Sequence, residues 1–376
     1  MFYRSIQENI KEAITISNKI VILYGPRQVG KTTLIRQILK ELPYKSMEIN
    51  ADQLKYQEVM SSRDLTKMKE LIGDHEVLFI DEAQNISNIG INLKILHDSL
   101  PALKIIANGS SSFELANQLK EPLTGRTSTF LLFPIAIQEL AKQLTPFEIK
   151  DQLESYLLYG MYPEVLTLTG SDKKIKHLRE LASAYLYKDV LQLSNIRHSD
   201  KIVKLLKLLA FQAGSLVSLH ELGKALEMSH ETVNNYIDLL EKGFVVYRLS
   251  GFSRNLRKEV NKMGKIYFFD NGMRNMLIDN FNSLDFRHDK GALWENFLVS
   301  ERMKKMEYQG HYLSKYFWRT YTGAELDYVE DRDGQLSGFE FKWKTEKTKP
   351  PVTWFETYPD AGYEIVHRDN FLPFVL

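Results

Sequence analysis

The segment YGPRQVGKTTL, residues 24–34, contains the phosphate-binding pattern G-x-x-x-x-G-K-[ST]. In such a loop, backbone N–H groups and the N-terminus of the following helix surround the phosphates of a nucleotide. Lys31 is predicted to reach the β- and γ-phosphates, and the Thr32 hydroxyl is predicted to ligate Mg²⁺. The predicted nucleotide-binding residues are Gly25, Pro26, Arg27, Gln28, Val29, Gly30, Lys31, Thr32 and Thr33.

Acidic residues end the apolar run of EVLFIDEAQ, where a P-loop enzyme needs a partner for its magnesium ion. Asp81 is predicted to be that metal partner, and Glu82 is predicted to be the base that polarises the attacking water. Asn108, in the segment KIIANGS, is predicted to sense the γ-phosphate or to hold the water. These residues predict an ATPase with ATP and Mg²⁺ as cofactors.

A second group of acidic residues lies near the end of the chain. In FEFKWK, Glu340 and Lys342 share one face of a predicted strand because side chains alternate along it. Asp327 ends a similar strand, the turn DRDG is expected to fold the two strands together, and Glu295 lies on the helix LWENFL. One interpretation is that this set resembles the PD-(D/E)XK nuclease core, which implies that Glu295, Asp327 and Glu340 hold a metal ion while Lys342 steadies charge or the attacking water. The other is the ordinary alternation of charges on a half-buried sheet.

Between these groups, the segment SLHELGKALEMSHETVNNYIDLLEKGFVVYRLS has helix-turn-helix spacing and then a strand. His230, Asn234 and Asn235 lie off the packing face, where a recognition helix would meet base edges. The following loop, SRNLRKEVNKMGK, is predicted to be a wing that contacts DNA phosphates. Its predicted DNA-binding residues are Arg254, Arg257, Lys258, Lys262 and Lys265. A module of this kind can instead contact another protein or serve as a structural lid.

The elements that position these residues follow from the hydrophobic pattern. Between residues 19 and 140, the apolar runs KIVILYG, SMEIN, EVLFID, LKIIANGS and TFLLFP alternate with helical patterns. This alternation predicts βαβ units on a parallel sheet. The predicted fold class is α/β, with a parallel-sheet P-loop NTPase domain at residues 1–142. A helical connector and winged helix-turn-helix at 143–280 and a small α/β domain at 281–376 are predicted to follow it.

Composition limits the function classes. The 376 residues suit two or three domains, and 49 basic against 48 acidic residues leave no global field that would attract DNA or a membrane. The absence of cysteine excludes disulfides and thiolate metal sites. No run approaches the ~18 apolar residues of a membrane helix, and the N-terminal segment lacks the apolar core of a signal peptide. A cytoplasmic location without a membrane partner is expected.

The motifs GPRQVGKTTL, LFIDEAQ and NGSSS...LTGR...LFPIAIQEL resemble the prokaryotic AAA+-type ATPases that carry a C-terminal domain of uncharacterised function. The resemblance continues through YGMYPEVL, KIYFFDNGMRNML and GAELDYV...GFEFKW. It implies that Arg126, in LTGR, is an arginine finger or sensor, although a plain basic loop residue fits equally well. In this family Thr usually stands at the position of Asn108. The last domain also resembles the PD-(D/E)XK nuclease core, with Leu where Pro usually precedes Asp327.

Two functions fit these patterns. The first is an ATP-hydrolysing enzyme that acts on DNA through its C-terminal half. In this enzyme the winged helix binds the DNA and the nuclease-like domain cleaves it. The second is a non-cutting ATP-dependent regulatory switch whose C-terminal half binds protein or DNA. They differ in whether the carboxylates of Glu295, Asp327 and Glu340 converge on a shared metal ion.

Overall fold

The computed structural model describes residues 2–109, 122–184, 199–253, 264–311, 313–345 and 349–376. The chain divides into two compact units. The smaller unit comprises Arg4–Phe133 and Lys242–Phe244, and the larger comprises Met1–Tyr3, Pro134–Glu241 and Val245–Leu376.

The smaller unit is built on a five-stranded sheet in which every paired strand is parallel. Its strands are β1 (Ile20–Tyr24), β2 (Ser46–Asn50), β3 (Val77–Asp81), β4 (Lys104–Gly109) and β5 (Thr127–Leu131). Its helices are α1 (Gln7–Thr15), α2 (Lys31–Glu41), α3 (Leu54–Met60), α4 (Leu65–Ile72) and α5 (Ile89–Ser99), with a 3-10 turn at Ala83–Asn85. The predicted parallel α/β sheet is confirmed: four of the five predicted apolar runs contain one of these strands, and TFLLFP overlaps the last three residues of β5.

The order of the strands explains how distant motifs meet. The sheet runs β2-β3-β4-β1-β5, so that β4 lies between β1 and β3. All residues of β1 and β3 are buried, as expected for central strands covered on both faces. Because the strands are parallel, the loops after β1, β3 and β4 leave the same edge of the sheet. That edge receives the P-loop, Asp81 and Asn108.

The larger unit contains a mixed seven-stranded sheet with the order β12-β11-β10-β9-β7-β8-β6. Its strands are β6 (Leu216–Val217), β7 (Val246–Gly251), β8 (Gly264–Phe268), β9 (Ser314–Arg319), β10 (Glu325–Arg332), β11 (Gln335–Phe341) and β12 (Gly362–Val366). Strands of the predicted segments 143–280 and 281–376 therefore share one sheet, joined by the parallel pairing of β7 with β9. The domain boundaries at 142 and 280 stay predictions.

The remaining helices follow β5 in the chain. They are α6 (Ile137–Leu140), α7 (Pro146–Asp151), α8 (Leu153–Tyr159), α9 (Pro163–Thr167), α10 (Ser171–Ala184), α11 (Ser199–Phe211), α12 (Leu219–Leu226), α13 (His230–Lys242), α14 (Asn271–Leu277), α15 (Lys290–Tyr308), α16 (Val352–Thr357) and α17 (Phe371–Val375), with a 3-10 turn at Leu284–Phe286. Among the described segments, no helix has the length and apolar character needed to cross a membrane.

The long helix α15 organises the core of the larger unit. The ring of its Trp294 packs at 5.8 Å from Phe297 and at 5.5 Å from Phe371 of α17, measured between centroids. Two turns further on, Glu301 accepts a hydrogen bond of 2.6 Å from the backbone N–H of Ile137. Its buried partner Lys304 binds that carboxylate at 2.6 Å. A charge buried in this way costs folding energy unless it is paired, so the pair fixes α15 against the segment that enters α6.

The hairpin β10–β11 sets the register of the predicted second site. Asp333 and Gly334 between the strands have φ of 52° and 87°, and positive φ at both central residues defines a type I′ turn. The Asp331 carboxylate accepts a 2.9 Å hydrogen bond from the Gly334 N–H. In the resulting register Tyr328 pairs with Phe339. One residue further along, Asp327 lies beside Glu340.

Candidate functional site

The P-loop requires glycine at its first position. Gly25 has a φ of 151°, and a Cβ added there would lie 2.0 Å from the carbonyl oxygen of Leu132. No other residue fits without displacing that backbone. Gly30, at the N-cap of α2, has a φ of 95°, in the left-handed region that favours glycine. The shape of the loop therefore depends on glycine at both positions.

Lys31 lies inside the loop. Its Nζ donates to the carbonyl oxygens of Gly25 at 2.9 Å and Pro26 at 2.8 Å, and the side chain is buried. The predicted contact with the β- and γ-phosphates requires the ammonium group to exchange these carbonyls for phosphate oxygens. That exchange conserves hydrogen bonds and adds opposite charge, which favours the bound state.

Thr32 and Asp81 form a pair of hard oxygen donors. The Thr32 Oγ1 donates to the Asp81 carboxylate at 2.9 Å and 3.2 Å. Burial raises the pKa of Asp81, and hydrogen bonds from Asn108 and Thr32 oppose that rise. A hydroxyl beside a buried carboxylate is the donor set that suits Mg²⁺, which prefers oxygen ligands and retains several waters. The two residues predicted to hold the ion are therefore together and chemically fit it.

Asn108 lies between Thr32 of the P-loop helix and the backbone of Glu82. Its Oδ1 accepts a 3.0 Å hydrogen bond from the backbone N–H of Glu82, and its Nδ2 lies 3.5 Å from Thr32 Oγ1. The side chain is completely buried. Since β4 lies between β1 and β3, the amide spans from the P-loop helix to the residue predicted as base.

Glu82 adopts an unusual backbone conformation. Its φ of 55° lies in the left-handed region, which costs energy for a residue with a Cβ and occurs often at functional sites. The amide Nε2 of Gln84 donates to its carboxylate. Gln84 is not among the predicted site residues, although its position in DEAQ, two residues after Glu82, indicates that it can lie near that carboxylate.

Arg126 lies away from this site, so the structure does not place it as a sensor of the nucleotide bound there; its role as an arginine finger stays a prediction. It immediately precedes β5, whose Thr127 pairs with Ile20 at the start of β1, whereas the P-loop follows the end of β1. A strand rises about 3.3 Å per residue, so roughly 20 Å separate the backbone of Arg126 from the start of the loop at Gly25. The guanidinium instead binds the Asp98 carboxylate through Nε at 2.9 Å and Nη2 at 3.2 Å.

In the larger unit, one cavity of about 360 Å³ collects the second group of predicted residues. Its lining includes all four residues of the predicted nuclease-like site: Glu295, Asp327, Glu340 and Lys342. The cavity lining also includes charged residues that were not predicted to be there: Lys265, Arg319 and Glu325.

Lys265 is the centre of this cavity, and its prediction as a wing residue on DNA is wrong. Its Nζ lies 3.1 Å from Glu295 Oε1, 2.7 Å from Glu325 Oε1 and 3.6 Å from Asp327 Oδ1. The side chain is 3% exposed, so it cannot reach a phosphate backbone. Burial alone would lower the pKa of Lys265, but the surrounding carboxylates outweigh it and raise that pKa.

The carboxylates of the cavity are held by protein donors. Tyr267 donates to Glu295 at 2.6 Å, and burial raises the pKa of Glu295 to about 7, with the Asp327 carboxylate adding to the rise. Asp327 accepts a 2.8 Å hydrogen bond from the Phe341 N–H.

Glu340 is bound by Lys342 at 2.9 Å and by the hydroxyl of Tyr363 at 2.6 Å. The described residues include no group of three acidic or histidine side chains placed to hold a metal ion. The predicted metal site of Glu295, Asp327 and Glu340 is therefore not formed, because an ammonium group stands among the first two and the third has its own partners.

The predicted DNA-binding surface is described only in part. Arg254, Arg257, Lys258 and Lys262 lie outside the described residues. On α13, His230 and Asn235 are exposed. The third predicted base-reading residue, Asn234, accepts a 2.7 Å hydrogen bond from Arg248 of β7.

Comparisons with known proteins match three separate parts of the chain. Residues 17–141 match the AAA domain, residues 150–284 match a domain of unknown function (DUF8612), and residues 290–370 match another domain of unknown function (DUF4143). An uncharacterised protein of Mycobacterium tuberculosis is 29% identical over 86% of this chain and 70% of its own length. One from Methanocaldococcus jannaschii is 25% identical over 94% of this chain and 86% of its own.

A Walker-type ATPase of Pyrococcus abyssi shares the fold, with a TM-score of 0.52 and 18% identity, over 74% of this chain and 96% of its own. The AAA match covers the whole nucleotide site described above. Together with the shared fold, it supports a P-loop ATPase.

Proposed function

We propose that this protein binds ATP with Mg²⁺ at the P-loop of its smaller unit and hydrolyses it there. One observation carries the proposal: the parallel sheet brings Lys31, Thr32, Asp81 and Asn108 to one edge, where Thr32 Oγ1 binds the Asp81 carboxylate at 2.9 Å. The motifs come from three separate parts of the sequence, so their convergence is not a consequence of the P-loop pattern alone.

Each side chain has a defined task in this reaction. Lys31 contacts the β- and γ-phosphate oxygens, and Thr32 and Asp81 hold Mg²⁺, which when bound screens the phosphate charge. Glu82 accepts the proton of the attacking water, and Asn108 fixes the Glu82 backbone through the 3.0 Å hydrogen bond from its N–H. Gln84 restrains the Glu82 carboxylate by donating to it.

Replacing Lys31 with Ala tests nucleotide binding. The loss of charge-assisted hydrogen bonds to phosphate is expected to weaken ATP affinity by roughly 10- to 150-fold. Titration with a fluorescent ATP analogue in the presence of Mg²⁺ measures this change. Lys40→Ala is the matched control, because Lys40 is an exposed lysine in the last turn of the same helix α2. Equal affinities in the two variants would contradict the proposed role of Lys31.

For the larger unit we propose a non-cutting role, in which it binds DNA under the control of the ATPase. Exposed His230 and Asn235 on α13 and the basic segment that follows β7 support the choice of DNA. The position of the Lys265 ammonium among Glu295, Glu325 and Asp327 supports the absence of cutting, since it occupies the space between these carboxylates and offsets part of the negative charge that would attract a divalent ion.

A cleavage assay distinguishes the non-cutting role from a nuclease. Single- and double-stranded DNA are incubated with the protein and Mg²⁺ or Mn²⁺, with and without ATP, beside an Asp327→Asn/Glu340→Gln control. We expect retarded mobility of the DNA on native gels and no cleavage above the control. Cleavage by the wild type that the control loses would establish a nuclease. Unchanged DNA mobility would favour a protein partner instead.

A further inference from the structure

Arg4 makes an unusual contact with the phosphate-binding loop. Its Nη1 donates to the carbonyl oxygen of Val29 at 2.7 Å, and its Nη2 donates to that of Phe133 at 2.6 Å. The residue is 6% exposed and lies 25 positions before Val29 in the chain. A buried guanidinium bound to two main-chain carbonyls fixes both of them in space, because each nitrogen donates in a rigid plane.

The contact at Val29 determines the direction of a phosphate-binding group. In a trans peptide the C=O and the following N–H point in opposite directions. Since the Val29 carbonyl points to Arg4, the N–H of Gly30 points away from it. The N–H groups of this loop are the groups expected to surround the phosphates. Arg4 thus orients one of these donors without contacting the nucleotide itself.

The other end of the loop is fixed on the same segment. The N–H of Leu132 donates to the Tyr24 carbonyl at 2.8 Å, immediately before the loop, and Gly25 lies directly against the Leu132 carbonyl. Residues 132 and 133 therefore hold the loop at its start through Tyr24 and Gly25. They hold it near its end through Arg4. A loop held at both ends loses less conformational freedom when ATP binds, which favours binding.

We propose that Arg4 is a positioning residue of the nucleotide site, holding the Val29–Gly30 peptide in the orientation that binds phosphate. The proposal rests on the ATP function proposed above. Arg4 stands outside the residues that match the AAA domain, and the sequence pattern of the P-loop does not include it. Lysine cannot replace it fully, because a single ammonium lacks the paired nitrogens that donate to Val29 and Phe133.

The test compares Arg4→Met, which keeps most of the apolar stem, with Arg4→Lys, which keeps the charge and one donor. Lys45→Met is the control, since Lys45 forms an exposed ion pair with Asp74 in the same unit. The dissociation constant of Mg-ATP, kcat and KM are measured for each protein, together with the thermal midpoint without nucleotide. We expect Arg4→Met to raise the dissociation constant and KM by about tenfold or more, and Arg4→Lys to raise them by a smaller factor.

The outcomes separate the possible explanations. A lowered thermal midpoint with an unchanged dissociation constant for the folded protein would mean that Arg4 has only a structural role, and would overturn the proposal. Should Arg4→Met not fold, the dissociation constant of Arg4→Lys decides in the same way. Absence of Mg-ATP binding by the wild type would instead contradict the proposed ATP function.

Discussion

Glu82→Gln is expected to bind ATP with the affinity of the wild type and to hydrolyse it about 10²- to 10⁴-fold more slowly, the range that removal of a general base produces. The glutamine side chain is nearly isosteric with the carboxylate. The substitution also leaves the backbone N–H of residue 82, which donates to Asn108 at 3.0 Å, unchanged. It cannot take a proton from water. The substitution therefore removes chemistry and leaves the site assembled.

The measurement is steady-state phosphate release, paired with titration of a fluorescent ATP analogue. Glu70→Gln is the matched control, because Glu70 is an exposed glutamate on α4 of the same unit. Hydrolysis by Glu82→Gln at the wild-type rate would assign the base to another group. A parallel loss of affinity and turnover would show that Glu82 supports the fold of the loop, with its φ of 55° as the sensitive feature.

The nucleotide site could be predicted from the sequence because its signals are local. The P-loop spacing, the apolar strand before Asp81 and the polar end of the strand before Asn108 each occupy a few consecutive residues. Parallel pairing then places the ends of these strands at one edge without further information. Arg4 could not be found in this way. Its partners Val29 and Phe133 are 25 and 129 positions away, and no periodicity links the three.

The structure departs from the expectations for Arg126 and Lys265 for different reasons. The expectation for Arg126 rests on resemblance, and the motif does not reveal that the residue precedes β5 and so lies at the end of the sheet opposite the P-loop. Lys265 was grouped with the basic residues before it. It belongs to β8, where side chains alternate, so Lys265 and Tyr267 share one face and both contact Glu295. The alternating pattern of KIY indicates a strand in which Lys265 and Tyr267 face the same way. Grouping Lys265 with the preceding basic residues overlooks this pattern.

Lys265→Met is expected to lower the free energy of unfolding of the larger unit by about 3–5 kcal/mol, the usual result of removing one partner of a buried ion pair. Glu295, Glu325 and Asp327 would lose the ammonium that lies 2.7–3.6 Å from them. The pKa of Glu295, already raised to about 7, would rise further, and the carboxylates that stay charged would repel one another. Methionine fills similar volume, so the loss measures charge and not a void.

Tryptophan fluorescence during urea unfolding measures this change selectively. The chain has four tryptophans, at positions 294, 318, 343 and 354, and all belong to the larger unit. Lys344→Met is the control, since Lys344 is an exposed lysine just beyond β11. We expect Lys265→Met/Glu295→Gln to recover part of the lost stability, because neutralising one carboxylate relieves the repulsion that the lysine had cancelled.

Adding Mg²⁺ or Mn²⁺ to the same variants tests whether the carboxylates of the cavity can bind a metal ion. If Lys265 is a structural counter-ion, divalent ions stabilise neither the wild type nor Lys265→Met, and only the glutamate substitution restores stability. If the carboxylates of Glu295 and Asp327 can share a metal ion once the ammonium is gone, Lys265→Met is stabilised in proportion to the logarithm of the metal concentration above its dissociation constant. The second result would contradict the non-cutting role, because the lysine would then be a replaceable occupant of a working metal site.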